Sequence, residues 1–129
     1  MTTQAVATDE ALVAQLKQIV GNDYVLTEEK DRDFFSTDLS GRDREIAAVV
    51  IQPGTTEELS AGIEAAVKAG LSIVARGGGM SYTSGYTPER PDTMLIDMLR
   101  MNRILEINAD DMYVVVECGC TWKKLYEAL

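Results

Sequence analysis

Residues 73–88 read IVARGGGMSYTSGYTP. Three consecutive glycines, Gly77, Gly78 and Gly79, follow an apolar run; Met80, Ser81, Thr83, Ser84 and Gly85 come next. Glycine has no β-carbon, so its backbone reaches conformations closed to other residues and comes within hydrogen-bond range of a ligand. A row of bare N–H groups after a strand forms a concavity of partial positive charge suited to phosphate oxygens. The hydroxyls of Ser81, Thr83 and Ser84 add donors, and Arg76 is the cation at the front of the loop. These residue types fit a diphosphate held mainly by neutral backbone donors. They also fit a glycine-rich hairpin or edge loop with no ligand, and on residue types alone both readings stand.

The two standard nucleotide loops do not fit. A Walker A loop places lysine after its last glycine, whereas Gly85 is followed by Tyr86. The dinucleotide fingerprint opens a helix, but Pro88 and Pro91 bar a helix over Tyr82–Pro91. A mononucleotide- or phosphate-binding module of another kind stays open. Tyr82, Tyr86 and Arg90 are polar residues of the same loop, for which packing or solvent exposure is the simpler expectation.

Other chemistry is bounded by composition. The chain has no histidine, which removes Ser-His-Asp triads, Cys-His dyads and most zinc sites; no metal site is expected. Its two cysteines, Cys118 and Cys120, flank Gly119. A disulfide this short would be strained, so two half-buried thiols in a cytoplasmic protein are expected. The formal net charge is -9, and the 12 Lys and Arg residues are scattered. Nucleic acid and anionic membranes select clustered basic residues, so neither is an expected partner. No apolar run approaches the ~20 residues that span a bilayer. The N-terminus, MTTQAVATDEAL, lacks the basic-then-apolar order of a secretory signal and reads as a frayed lead-in.

The elements that must position the loop follow from local patterns. With 129 residues and 46% apolar content, the chain has enough for one domain with a real core. Thr8-Asp9 caps a helix over ALVAQLKQIV that stops at Gly21. Thr27–Lys30 opens a shorter helix to about Phe35, and Ser36–Glu45 is polar and turn-rich. AAVVIQP, residues 47–53, reads as a buried strand. Thr55 with Glu58 three residues on is a capping box, and Leu59, Ile63, Ala66 and Val67 share one face before Gly70 ends the helix. LSIVA, residues 71–75, reads as a second buried strand. Strand, helix and strand make a right-handed crossover with parallel strands. TMLIDM, residues 93–98, is a third strand. Arg103–Asn108 and Met112–Cys118 alternate around Ala109-Asp110-Asp111 as an antiparallel hairpin. Thr121 caps WKKLYEAL, with Trp122, Leu125 and Leu129 as its apolar face.

IQPGTTEEL, VARGGGMSYTSG, DMLRMNRILEIN and VVVECGCTW, in that order and spacing, resemble the FAD-binding domain of the vanillyl-alcohol oxidase/para-cresol methylhydroxylase flavoprotein superfamily. The nearest flavour is the FAD-linked oxidases and dehydrogenases of D-2-hydroxy acids. The resemblance covers about residues 20–129. It implies an α/β (α+β) fold, the PCMH-type FAD-binding domain of two subdomains that clamp the FAD. Residues 1–20 would be an N-terminal helix. Residues 21–129 would be the first subdomain, with parallel strands and helices, plus part of the second, which continues beyond 129.

The resemblance further implies that the amides of Gly77, Gly78, Gly79, Met80 and Ser81, beside Arg76, point at the FAD diphosphate, with the Ser81 hydroxyl as a further donor. Ser84-Gly85 stands where the family often has Gly-Gly. Pro53 matches a residue near the adenosine half, and Gly119, between the cysteines, one near the flavin ring or ribityl chain. Met80 occupies the position from which a histidine tethers the flavin in some members, so non-covalent FAD is expected. The implied function is the FAD-binding part of a flavin-dependent oxidoreductase that oxidises a hydroxy acid or alcohol by hydride transfer. Its partners would be a small-molecule substrate and an electron acceptor. The chain is small for a complete oxidoreductase, and a helix running to Leu129 suggests a longer parent. The alternative is a truncated, non-catalytic piece or binding module without cofactor in isolation, prone to homodimerise through exposed apolar surface.

Overall fold

The computed structural model describes residues 9–129; Thr8 and the lead-in before it lie outside them. The first helix, α1, spans Glu10–Val20 and starts where Asp9 accepts a hydrogen bond from the Ala11 amide. It ends at Gly21, whose φ of 96° suits a residue without a β-carbon. A 3-10 turn, Asn22–Tyr24, leads into a two-residue strand, β1 (Val25–Leu26), and then α2 (Glu29–Phe35).

Strand β2 (Val49–Ile51) precedes α3 (Thr56–Lys68). The Thr55 hydroxyl accepts from the Glu58 amide at 3.1 Å, as the capping pattern predicts. The Glu58 carboxylate reaches one residue further back than the usual box and accepts from the Gly54 amide at 2.7 Å. Strands β3 (Ser72–Arg76) and β4 (Thr93–Asp97) follow, then β5 (Ile104–Asn108), β6 (Tyr113–Val116) and α4 (Trp122–Ala128).

The main sheet has the order β1-β2-β4-β3. β2 and β3 each run parallel to β4, so they point the same way, as the crossover predicts, but β4 lies between them. Two layers cover the sheet. Val49, Ile51, Met94 and Ile96 face α1 and α3 in one cluster with Leu12, Leu16, Val20, Ala65 and Ala66. Val50 and Leu95 face the other way, with Leu26, Phe35 and Val74 packed around them. This alternation along β2 and β4 is the period of a strand buried on both faces. Helix α1 shares its core with the later elements.

The strand order corrects one expectation. The run 71–75 was expected as a buried strand, yet β3 is the sheet edge and most of its residues are only half-buried. Val67, placed on the apolar face of α3 by its spacing, is exposed; Gly62, Ala65 and Ala66 form the contact instead. Gly62 is needed there because a β-carbon would stand 2.8 Å from Ile51 Cδ1.

The hairpin β5–β6 forms a second, two-stranded antiparallel sheet. Leu105, Ile107, Tyr113 and Val115 are exposed on it. On α4 only Leu125 is buried; Trp122 and Leu129, expected on an apolar contact face, are 86% and 75% exposed.

Candidate functional site

Parallel strands put their carboxyl ends at one edge, and the loops leaving that edge are where open α/β sheets bind ligands. Here β2 leads into Gln52-Pro53-Gly54, β3 into the glycine loop, and β4 into residues 98–103. The registers Ile51↔Ile96 and Arg76↔Asp97 hold the three exits nearly level. Asp97 ties two of them together by accepting from Gln52 Nε2 at 2.7 Å.

The glycine loop is fastened through its carbonyl groups. The Arg76 carbonyl accepts from the Met98 amide at 2.9 Å, and that of Ser81 from the Leu39 amide at 2.9 Å. The Tyr86 hydroxyl lies 2.8 Å from the Thr37 carbonyl oxygen and 3.1 Å from that of Gly79, one proton facing two acceptors. By contrast, none of the amides of Gly77, Gly78, Gly79, Met80 and Ser81 has an acceptor among the described residues. A β-carbon at Gly77 would meet nothing within 4 Å, and one at Gly78 only the Thr121 methyl, at 3.9 Å. Five successive free amides beside open space are the donor set that a diphosphate needs, so the residues present fit FAD.

A strap from residues 36–40 backs the loop. The Asp38 carboxylate accepts from the Ser40 hydroxyl at 2.6 Å, the Ser40 amide at 2.8 Å and the Ser84 amide at 2.8 Å. These bonds, led by the Ser40 hydroxyl, hold its pKa below the ordinary carboxylate value against the opposing effect of burial. Ser84 takes a φ of 59°, and its hydroxyl meets that of Ser40 at 3.0 Å. Expected at the cofactor, Ser84 thus has both its amide and its hydroxyl engaged by the strap. Gly85 is exposed beside it. A hollow of about 410 Å³ lined by Arg42, Arg44, Glu45, Thr87 and Glu89 shares Ser84 with the loop but includes none of residues 77–81.

The remaining expected residues divide by surroundings. Arg76 is buried, its guanidinium carbon 5.6, 5.1 and 5.6 Å from the ring centres of Phe34, Phe35 and Tyr86. Gly79 covers it: φ is 78°, and a β-carbon there would stand 2.7 Å from Arg76 Cζ. Met80 is 68% exposed. Pro53 is fully buried in a turn held by Arg100, which donates to the Gln52 carbonyl, flanks Gly54 and stacks on Tyr24. Gly119 is packed against the chain itself: its amide donates to Met101 O at 2.8 Å, and a β-carbon would overlap the Met98 carbonyl. That packing brings Cys118–Thr121 alongside the glycine loop. Cys118 is exposed and Cys120 half-buried; both are free thiols.

Sequence reasoning passed over Asp38, Ser40 and Phe35 as site residues and expected packing or solvent exposure for Tyr86. Tyr86 is buried, and its hydroxyl also pins the loop. Tyr82 is 69% exposed, and Arg90 pairs with Asp92. No local pattern marks the strap residues, because their partners lie 44 to 46 positions away in the chain.

Known proteins resemble this chain in sequence and fold. D-lactate dehydrogenase [cytochrome], mitochondrial, of Arabidopsis thaliana is 32% identical over 120 residues, covering 92% of this chain and 21% of its own length. The solved structure of 4-ethylphenol oxidase from Gulosibacter chungangensis superposes with a TM-score of 0.79 at 32% identity, over 92% of this chain and 23% of that one. p-Cresol methylhydroxylase gives a TM-score of 0.79 at 20% identity over 92% and 24%, a likeness of fold. The chain thus spans about a quarter of these proteins or less. Among the described residues no helix is long and apolar enough to cross a membrane. A family profile described as "FAD binding domain" matches residues 47–129, and the chain, with its PCMH-type fold, belongs to that family of flavin-dependent oxidoreductases.

Proposed function

We propose that this chain is the FAD-binding part of an oxidoreductase that takes a hydride from a hydroxy acid or alcohol, with the FAD held non-covalently. The observation that carries the reading is the row of free amides from Gly77 to Ser81, in a loop tied down through the carbonyls of Arg76, Gly79 and Ser81. In this reading those amides and the Ser81 hydroxyl hold the diphosphate. Pro53 borders the adenosine half, and Gly85 widens the loop's exit. Gly119 acts through shape: it lets Cys118–Thr121 lie flat against the exit of β4 and so sets the floor near the flavin side.

Bound FAD supplies the hydride acceptor; the protein supplies position and electrostatics. Met80 carries no group that could tether a flavin, which supports the non-covalent mode. The likeness to a D-lactate dehydrogenase over most of this chain supports a hydroxy acid as substrate. A small-molecule substrate and an electron acceptor are the partners of the whole protein, which in this reading is cytoplasmic.

The test is purification of the chain with added FAD, followed by gel filtration and acid precipitation. Flavin absorbance that travels with the protein and is released to the acid supernatant supports the reading. Flavin left in the pellet would replace the non-covalent mode with a covalent one. A second reading, a module without cofactor in isolation, draws on the exposure of Trp122, Tyr126 and Leu129. It predicts colourless protein with added FAD and, through that apolar surface, a homodimer.

A further inference from the structure

We infer that Arg76 serves the dinucleotide from behind the loop, as a buried positioning cation whose charge is completed by the diphosphate on the other side of Gly77–Gly79. The inference rests on the FAD reading above and assigns Arg76 a role other than direct contact.

Arg76 is 7% exposed, and its Nε is buried without a hydrogen-bond partner. Among the described residues its side chain forms no ion pair. The nearby acids are committed elsewhere. Asp97, level with it on β4, accepts from Gln52 and from the Leu99 amide. Asp38 is filled by Ser40 and Ser84. A buried guanidinium N–H without a partner is costly. Three aromatic rings offset part of that cost without neutralising the charge. The chain carries a net charge of -9, yet among the described residues no acid pairs with this buried cation.

The guanidinium is also placed to act on the loop. It fills the space beneath Gly79, where a side chain would otherwise go, and so holds that residue at its positive φ. Tyr86 stacks on the same guanidinium and pins the Gly79 carbonyl. One cluster therefore fixes the direction of the free amides and puts a full positive charge behind their partial ones. Burial of the guanidinium limits the screening of that charge by water, and it lies one layer of backbone behind the amides.

The test compares ADP, adenosine and FAD binding by calorimetry to the parent chain and to Arg76→Met, which keeps the length and packing of the side chain. ADP and FAD affinities are expected to fall at least tenfold and adenosine affinity to stay within twofold. Arg76→Lys, which restores charge without the planar stack, is expected to recover part of the loss. Equal ADP and FAD affinity in parent and Arg76→Met overturns the inference and leaves the FAD reading intact. A parent chain that binds neither FAD nor ADP overturns both. Should Arg76→Met fail to fold, Phe34→Leu removes one ring at a position 64% exposed. It is expected to weaken ADP about threefold and spare adenosine, and unchanged ADP affinity would overturn the inference.

Discussion

Gly119 lies under the carbonyl of Met98 so closely that any β-carbon at 119 would overlap that oxygen and stand 2.7 Å from the carbonyl oxygen of Met101. Both obstacles are backbone, so neither can swing aside. Gly119→Ala is expected to cost about 3 kcal/mol or more, at the upper end of overpacking effects. Urea denaturation of the purified variant measures it, and a midpoint equal to that of the parent would contradict the close approach.

Gly78 gives the opposite expectation. Its β-carbon position is open apart from the Thr121 methyl, so Gly78→Val is expected to leave the unfolding midpoint nearly unchanged. The new side chain would occupy the concavity that the free amides face. FAD affinity is expected to fall at least tenfold, about 1.4 kcal/mol. Fluorescence titration of FAD checks this, and full affinity in the variant would remove the diphosphate from the loop.

Asp38 makes the strap sensitive to acid. Its hydrogen bonds lower its pKa from an ordinary 3.8 in the folded state, so the unfolded chain binds the proton more readily than the folded one. The stabilisation from this group is present above pH 3.8 and is lost as pH falls through the lower folded value. Asp38→Asn is expected to lower stability at neutral pH, and its difference from the parent is expected to shrink under strong acid. Thermal unfolding followed from pH 6 downwards gives the comparison; a difference that does not narrow would show that the carboxylate charge is irrelevant to the strap.

Thr55 anchors the start of α3 through the Glu58 amide. Thr55→Ala is expected to cost about 1 kcal/mol, the usual worth of an N-cap. Because Glu58 reaches Gly54 rather than Thr55, Glu58→Gln is expected to loosen the Pro53 turn more than the helix. Hydrogen exchange at the Gly54 amide separates the two effects.

These contrasts also mark what can be read from residue order alone. The start of α3, the β5–β6 hairpin and the glycine loop's place after a strand are all written in neighbouring residues, through caps, alternation and turn formers. The edge position of β3 is not, since it depends on β4 entering between two strands that precede it. The same limit applies to the site. The run of glycines announces its free amides, but the rings around Arg76 come from positions 34, 35 and 86 and converge only through the fold. Trp122 and Leu129 have helical spacing with Leu125, yet spacing cannot say whether a surface lies opposite to receive them.

The strap has a practical side. It lies upstream of residue 47, where the family profile begins, as do Phe34, Phe35 and the α1 residues Leu12, Leu16 and Val20 that fill one side of the core. A shortened gene product started at residue 47 would keep every glycine of the loop and lose what stiffens it from below. Whoever trims this region to a minimal FAD-binding piece should begin ahead of α1, because the strap and the loop it backs fall on opposite sides of residue 47.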